Sequence, residues 1–459
     1  MATSTPSTPP STADSNFQFL VHAEDGSFPF LTEYLLRKYF NPKDEIVKNH
    51  LVVGIAVKDT CVVPVYKEKQ NKKLKRKRSN GNQEGSGNEE NPQGKELPNT
   101  LKPSGYTFDT QPIEQQTRLL PGYHTMSLPT FDLLDDAQAA LEKDKAARTK
   151  NAQKKSKKSG NSSNEESTAM VPSVTSTRDK LSLNSPNGMQ QITPKMYTDV
   201  ALKLQCTSML ALYDQVHKGD GKNRKSAAAE RTKLWLENCL SALGSSSQEK
   251  IPMWASLSCY DTQWSYANSS KYLMEKRDLL AGISIAGWHR IQARDERNEL
   301  LGRIAKEFYP GTKFSVLAVS NMEQILDAIK HGVSIIGSDL PAIWARSNKA
   351  LALNIDSPAS SSIRTLDDNG CIDLGSEKYC RDTSPILPGC SCLSCQDGRY
   401  TASYLHHLIK AKELLSQILL FGHNLHQMLL LFEKLSTGAK GNEVGDLLTH
   451  IEDQLHPKH

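Results

Sequence analysis

Three cysteine residues lie within six positions near the C-terminal end of the chain, and their types and spacing suit a metal ion. Cys390, Cys392 and Cys395 form a Cys-x-Cys-x-x-Cys cluster. Neighbouring cysteines are badly placed to bridge one another, and a reducing compartment keeps thiols free. Zinc takes four tetrahedral ligands and binds thiolates, so the cluster predicts a zinc site whose fourth ligand comes from elsewhere in the chain.

The fourth ligand has four candidates, which are the histidines that follow the cluster: His406, His407, His423 and His426. Apolar residues recur at helical spacing from 404 to 420, which predicts a single packed helix leading away from the cysteines. His406 and His407 lie early on this helix, where either could be an ordinary surface or core histidine. We favour His423, but spacing alone leaves the choice open.

The wider pattern resembles the C-terminal zinc signature of the tRNA-guanine (queuine) transglycosylase family. The resemblance rests on Cys390-Ser-Cys392-Leu-Ser-Cys395, on the segment 400–415, and on His423-Asn424-Leu425. It implies that Cys390, Cys392, Cys395 and His423 hold one structural zinc ion per chain. The loop 396–399 is longer than is usual in the family, which shifts the spacing of these four residues but keeps all of them.

The composition indicates a folded core interrupted by polar inserts. The chain has 459 residues, of which 37% are hydrophobic, and a net charge of +5. That hydrophobic share is low for a globular chain. Lysine and arginine cluster in 67–78 and in 142–164, where a solvated loop, a nuclear import signal and an RNA-contacting arm are alternative interpretations.

Cysteine usage favours the cytoplasm. The chain has nine cysteines and a sequence without the pattern of a secretory signal peptide. A peripheral association with the mitochondrial outer membrane stays open. The apolar stretch 414–432 contains Gln417, His423 and Asn424, which are costly in hydrocarbon, so we expect a buried helix there and no integral membrane span.

The chain divides into eight predicted segments. They are a disordered N-terminus (1–15), N-terminal strands and a helix (16–66), a disordered basic insert (67–101), a folded segment (102–141), a second disordered insert (142–182), a barrel core (183–345), an irregular connection (346–385) and a zinc-binding C-terminal region with helices (386–459).

The orderly middle of the chain predicts an α/β fold. Between 183 and 345, apolar strand-like runs alternate with helical patterns, and the runs are continuously apolar, as in a parallel sheet that is buried on both faces. The number of units favours a (β/α)8 TIM-like barrel over an open doubly wound sheet. The resembling family consists of such barrels with a zinc-bearing insertion.

The chemistry of such a barrel lies at the carboxyl ends of its strands, and there the resemblance weakens. Asp214 matches a residue that reads the base in catalytic relatives, although a carboxylate that caps the next loop is an equally good interpretation. Gly337 stands where catalytic relatives have the nucleophilic aspartate. Asp339 would share a strand face with that position, displaced by about 6 to 7 Å.

The glycine at the nucleophile position implies a non-catalytic subunit without catalytic residues of its own. The family's eukaryotic enzyme pairs a catalytic with a non-catalytic subunit to exchange guanine for queuine at the wobble base of tRNAs with GUN anticodons, and the chain resembles the latter. A working transglycosylase that uses Asp339 and a zinc-dependent nucleic-acid-binding module are the alternatives.

The resemblance also implies two partners, the catalytic subunit in a heterodimer and tRNA. In the family the barrels pair through the zinc-bearing region. Two apolar runs within 418–432 predict more exposed apolar surface than one helix buries, which favours an interface there.

Overall fold

The computed structural model describes most of the barrel and the C-terminal region. The described residues are 17–23, 30–31, 33–56, 124–128, 176–185, 188–214, 216, 221–244, 251–259, 264–291, 293–308, 310–355, 364–438 and 443–456. The predicted disordered N-terminus, the first basic insert and residues 57–66 of the segment predicted to hold N-terminal strands lie outside them, as does the second insert up to residue 175.

Eight parallel strands close into a barrel, which confirms the predicted fold class. In chain order the described strands are β1 (Gln18–Ala23), β2 (Leu51–Ala56), β3 (His124–Leu128), β4 (Leu181–Ser185), β5 (Gly188–Ile192), β6 (Ser208–Leu210), β7 (Met253–Ser258), β8 (Gly282–Ala286), β9 (Phe314–Val316), β10 (Ile335–Gly337), β11 (Lys349–Leu351) and β12 (Cys371–Asp373). Around the barrel they run β1-β10-β9-β8-β7-β6-β3-β2, while β4–β5 and β11–β12 form separate antiparallel pairs.

Helices follow most barrel strands and cover their outer face. In chain order they are α1 (Glu33–Tyr39), α2 (Glu45–His50), α3 (Pro194–Lys203), α4 (Lys222–Gly244), α5 (Trp264–Lys276), α6 (Arg294–Glu307), α7 (Met322–Lys330), α8 (Leu340–Arg346), α9 (Ala402–Lys410), α10 (Leu414–Gly438) and α11 (Glu443–Leu455). Helix α3 begins at Pro194 because the Thr193 side chain accepts the N–H of Met196 and proline suits the first helical position.

The barrel lumen is filled by apolar side chains. A cluster of buried residues lies inside the ring of strands, apart from the larger core beneath the helices: Leu20, Val52, Met126, Leu128, Leu210, Tyr213, Trp254 and Ile335. Gly282 lies against the Trp254 ring, and Gly54 lies against Leu20 and Leu128. These contacts make the described part of the interior a packed core, as is usual for such barrels.

Helix α10 joins the C-terminal region to the start of the barrel. The Phe432 ring contacts that of Phe19 on β1, with 5.3 Å between centroids. The backbone N–H of Phe17 donates to the Ser436 hydroxyl at 3.0 Å. The C-terminal region is thus packed on the strand that opens the barrel.

The prediction of one helix from 404 to 420 is wrong, because the chain breaks between α9 and α10. Lys412 has a left-handed φ of 58°, and the N–H of Glu413 donates to the Leu408 carbonyl at 2.9 Å. This bond closes the end of α9 in the manner of a Schellman cap. The break falls in the gap between Ile409 and Leu415, where the apolar repeat is interrupted.

The expectation of exposed apolar surface on 418–432 is also wrong. Leu420, Phe421, Leu425 and Met428 are each 0% exposed. Helices α8, α9 and α11 and strand β11 cover α10, so its apolar length reflects contact on several sides within the chain.

Two predicted boundaries cut through elements. Strand β4 runs across the boundary placed after residue 182, and α8 runs across the one placed after residue 345. The barrel also takes strands from the segments 16–66 and 102–141, so the inserts interrupt one domain. Among the described residues, no helix combines the length and apolarity that crossing a bilayer requires.

Candidate metal centre

Four side chains converge beside the middle of α10. The sulfurs of Cys390, Cys392 and Cys395 lie 3.8, 3.3 and 3.4 Å from Nδ1 of His423. All four donor atoms lie within 4.8 Å of one another. The predicted residues are therefore brought together, and the arrangement could hold a metal ion.

The spacing of these atoms fits a tetrahedral ion of zinc's size. With metal–sulfur bonds of about 2.3 Å and a metal–nitrogen bond of about 2.05 Å, tetrahedral geometry puts each sulfur about 3.5 Å from the nitrogen. The three observed distances, from 3.3 to 3.8 Å, bracket that value. Four protein donors would close the coordination sphere and leave no position for a reactive water.

A tight turn presents the cysteines to the helix. The N–H groups of Cys395 and Gln396 both donate to the Cys392 carbonyl, at 3.2 and 2.9 Å. The hydroxyl of the fully buried Ser394 donates to the Leu419 carbonyl of α10 at 2.7 Å. The turn is thus fastened to α10 independently of the four donor groups.

A backbone contact orients the His423 ring. Its Nε2 lies 2.7 Å from the carbonyl oxygen of Leu351 on β11. Because a carbonyl can only accept, Nε2 carries the proton, and the lone pair of Nδ1 faces the three sulfurs in the neutral ring. Such a contact fixes both the tautomer and the ring plane of a ligand.

The four groups influence one another's protonation strongly. Hydrogen bonds with Cys392 and Cys395 hold the pKa of Cys390 far below its ordinary value, and the contact with Cys390 raises the pKa of Cys392 far above it. Burial lowers the pKa of His423, but hydrogen bonds to Cys390 and Cys395 outweigh burial and raise that pKa to about 10. A cation can take the place of the protons that these groups share.

The other three histidines face different partners. Nδ1 of the buried His406 lies 2.9 Å from the Leu374 carbonyl, and His407 is exposed. His426 lies 3.4 Å from the Ser391 hydroxyl. Of the four candidates, His423 is the one that shares a site with the cysteines.

Asn424 links this site to the barrel. Its side-chain oxygen accepts the N–H of Leu351 at 2.8 Å, and its side-chain nitrogen donates to the carbonyls of Pro341 and Lys349 at 3.3 and 3.1 Å. Pro341 lies in α8, directly after barrel strand β10. The His-Asn pair therefore joins the cysteine cluster to the carboxyl end of β10.

Asp214, at the barrel mouth, is held by two arginines. Its carboxylate oxygens accept from Arg224 at 2.9 and 2.7 Å and from Nε of Arg231 at 2.6 Å, and its side chain is only 4% exposed. Both oxygens are therefore occupied within the chain. This geometry matches the alternative interpretation, a carboxylate that fastens the element after its strand.

Gly337, which the resemblance places where catalytic relatives have their nucleophile, lies against the packed lumen. A Cβ at this position would lie 2.8 Å from Cδ2 of Leu317 and 3.3 Å from Cδ2 of Leu20. Both distances are shorter than ordinary van der Waals contact. A carboxylate at this position would have to displace these leucines.

Asp339 does not continue the strand, so the predicted shared face is wrong. Strand β10 ends at Gly337, and Asp339 has φ −94° and ψ 9° as the residue that caps α8. Its carbonyl accepts the N–H groups of Ala342 and Ile343. The chain has turned into a helix within two residues, and the displacement along an extended strand does not apply.

Gln427 also touches the candidate metal site, although the cysteine and histidine pattern did not predict it. Its side-chain nitrogen donates to the Cys390 sulfur at 3.1 Å. A signal was present, because a residue four positions after His423 lies on the same helix face.

Comparison with known proteins gives a match to one family. A model of the family described as queuine tRNA-ribosyltransferase matches residues 139–456. Proteins named queuine tRNA-ribosyltransferase accessory subunit 2 are similar to the chain. The one from Culex quinquefasciatus is 23% identical over 59% of the chain and 63% of its own length. The Anopheles gambiae protein is 24% identical over 60% and 65%, and the Caenorhabditis elegans protein 26% identical over 56% and 67%.

The aligned part of the chain thus covers slightly less than two thirds of the two mosquito proteins. The family match covers more of the chain itself, since it runs from residue 139, near the end of the segment 102–141, to residue 456, directly after α11. Because this match includes well over half of the residues, the chain belongs to the queuine tRNA-ribosyltransferase family.

Proposed function

We propose that the chain is a non-catalytic subunit of a tRNA-modifying enzyme. The enzyme would exchange guanine for queuine at the wobble base of tRNAs with GUN anticodons, with the chemistry carried by a catalytic partner. Family membership supports the class of reaction, and the names of the similar proteins support the accessory role.

The observation that carries the non-catalytic role is the packing around Gly337. A nucleophile for ribose attack needs a side chain directed into an open, polar pocket. At this position there is no side chain, and the leucine tips on either side approach to 2.8 and 3.3 Å of where its first carbon would lie. Asp214, the corresponding base-reading residue, is already bound by two arginines.

Exchange of labelled guanine into tRNA tests this role. The purified chain alone should release no guanine and form no denaturation-resistant adduct with tRNA. With the catalytic subunit, exchange should occur and depend on the presence of this chain. Exchange by the chain alone would contradict the proposal.

The second candidate function is that of an active transglycosylase that uses Asp339 as a rearranged nucleophile. This residue is partly exposed at the carboxyl end of β10, which is where barrel enzymes hold their chemistry. Its backbone, with φ −94° and ψ 9°, turns the chain away from the strand axis, which argues against in-line attack. Activity of the chain alone that disappears in Asp339→Ala would favour this candidate.

We propose that the metal is zinc, one ion per chain, held by Cys390, Cys392, Cys395 and His423. Three thiolates and one imidazole form a donor set typical of structural zinc sites. When bound, the ion would crosslink the cysteine turn to α10 and supply folding stability. Cysteine binds metal as a thiolate, which requires its reduced form. This proposal therefore fits a protein of the reducing cytoplasm.

We also propose that the catalytic subunit docks beside the cysteine turn. Tyr404 is 41% exposed, its ring stacks on that of Tyr400 at 5.8 Å, and the Arg399 guanidinium lies 5.7 Å from the Tyr400 ring. Exposed aromatic and arginine side chains are common anchors of protein interfaces. The apolar face of α10 is buried and cannot serve as the interface, so we propose this tyrosine surface instead. The resulting heterodimer would bind tRNA.

A further inference from the structure

One turn of α10 contacts the cysteine cluster through more than its histidine. His423, His426 and Gln427 occupy positions i, i+3 and i+4 and so share one helix face. His426 reaches the Ser391 hydroxyl, whereas the Gln427 amide reaches the Cys390 sulfur at 3.1 Å. Gln427 is only 2% exposed, so this amide has lost most of its contact with water.

Cys390 differs from the other two cysteines in its surroundings. Cys392 and Cys395 are each 4% exposed, whereas Cys390 is partly exposed. Its sulfur has a second N–H neighbour, the backbone of Cys392, at the longer distance of 3.5 Å. Of the three cysteines, Cys390 is therefore the one that chelators and electrophiles reach most easily. The shorter of the two N–H contacts to its sulfur comes from Gln427.

An amide donor at this position has a defined chemical effect. Three thiolates, a neutral imidazole and a divalent cation carry a net charge of −1, which concentrates on the sulfurs. An N–H that points at a sulfur draws off part of this electron density, so the sulfur becomes less basic and less nucleophilic. The amide does this without adding a charge to a buried site.

We propose that Gln427 is a positioning residue of the metal site, whose N–H protects the Cys390 sulfur and so sets the rate at which a bound metal ion is released. This inference rests on the proposed metal site. The ion would leave once the Cys390 sulfur is displaced from it or alkylated, and the Gln427 contact would slow both events. In alkylation by iodoacetamide the sulfur forms a bond to carbon, and iodide leaves with the electron pair.

Two substitutions separate the amide donor from its packing. Gln427→Met keeps an unbranched side chain of similar length but removes the N–H, and Gln427→Glu keeps the shape but offers an acceptor. Ser391→Ala is the matched control, since it removes the His426 contact and leaves Gln427 intact. The full-length chain would be loaded with Zn²⁺, and metal release would be followed with a chromogenic chelator, with and without iodoacetamide.

The expected result is that Gln427→Met and Gln427→Glu release metal about 10- to 100-fold faster than wild type, as is usual for lost partners of metal ligands. Ser391→Ala should stay within about twofold of wild type. After Co²⁺ loading, the sulfur-to-cobalt charge-transfer band should move to lower energy in both Gln427 variants, which a loss of packing alone would not cause.

Wild-type release rates and an unshifted band in both Gln427 variants would overturn this inference while leaving the metal site intact. Failure of the wild-type chain to bind one metal ion would instead overturn the proposed site. If one Gln427 variant fails to fold, the other still provides both readouts.

Discussion

Replacing Gly337 by aspartate would add a carboxylate where the resemblance places the nucleophile of catalytic relatives, and we expect it to destabilise the chain without creating activity. The new Cβ would lie 2.8 Å from the tip of Leu317 and 3.3 Å from the tip of Leu20. Adding atoms to a packed core costs about 1–3 kcal/mol. An unpaired carboxylate in an apolar lumen adds a desolvation cost, so we expect a total of about 3–5 kcal/mol.

Gly337→Ala separates the two contributions to this cost. It adds the Cβ without the charge, and its nearest neighbours are the ends of two flexible leucine side chains, so we expect a loss of only about 1 kcal/mol. In a thermal melt of the full-length chain followed by circular dichroism, Gly337→Asp should lower Tm by roughly 10 °C and Gly337→Ala by a few degrees at most.

Two outcomes would refute this reasoning. A Gly337→Asp variant as stable as wild type would mean that the lumen has room for a carboxylate. A Gly337→Asp variant that exchanges guanine without a partner would mean that the pocket is complete except for its nucleophile.

Three further predictions concern the C-terminal region. Cys392→Ala and His423→Ala should each lose bound zinc in elemental analysis, while His407→Ala, at an exposed position, should keep it; zinc loss in His407→Ala with full retention in His423→Ala would contradict the ligand set. Asn424→Ala leaves the Leu351 N–H without its side-chain acceptor, and we expect it to lower the free energy of unfolding by about 2–4 kcal/mol; an unchanged Tm would contradict this. Tyr404→Ala should weaken binding to the catalytic subunit by about 10- to 100-fold in Kd, whereas Leu279→Ala, at a more exposed apolar position after α5, should not; equal affinities of both variants would exclude the tyrosine surface.

The sequence predicts the barrel because local and tertiary signals agree there. Buried parallel strands are apolar on both faces, so their runs stand out from the amphipathic helices between them. The start of α3 follows from Thr193 and Pro194, whose cap and fixed φ act within one turn. Such signals need no knowledge of distant contacts.

Features that depend on distant contacts were not predictable in the same way. Hydropathy marks 418–432 as apolar. Only the fold shows that helices that precede and follow this segment in the sequence bury its surface. The break at Lys412 is a left-handed residue that is neither glycine nor asparagine, so its type gives no signal.

In the candidate site, too, local features were predictable and features that depend on the fold were not. Cysteine spacing predicts a metal turn because three of the donors lie close together in sequence. The choice of His423 depends on which histidine faces that turn in three dimensions, and spacing cannot supply this. The pairing of Asp214 with two arginines on the following helix is likewise invisible until α4 is packed against the barrel.

The most direct test of the non-catalytic role is a guanine-exchange assay with three samples, the chain alone, the catalytic subunit alone and both together, each in wild-type form and with Asp339→Ala in this chain. We predict exchange only when both subunits are present, at a rate that Asp339→Ala leaves unchanged. Exchange by this chain alone that is abolished by Asp339→Ala would contradict the account.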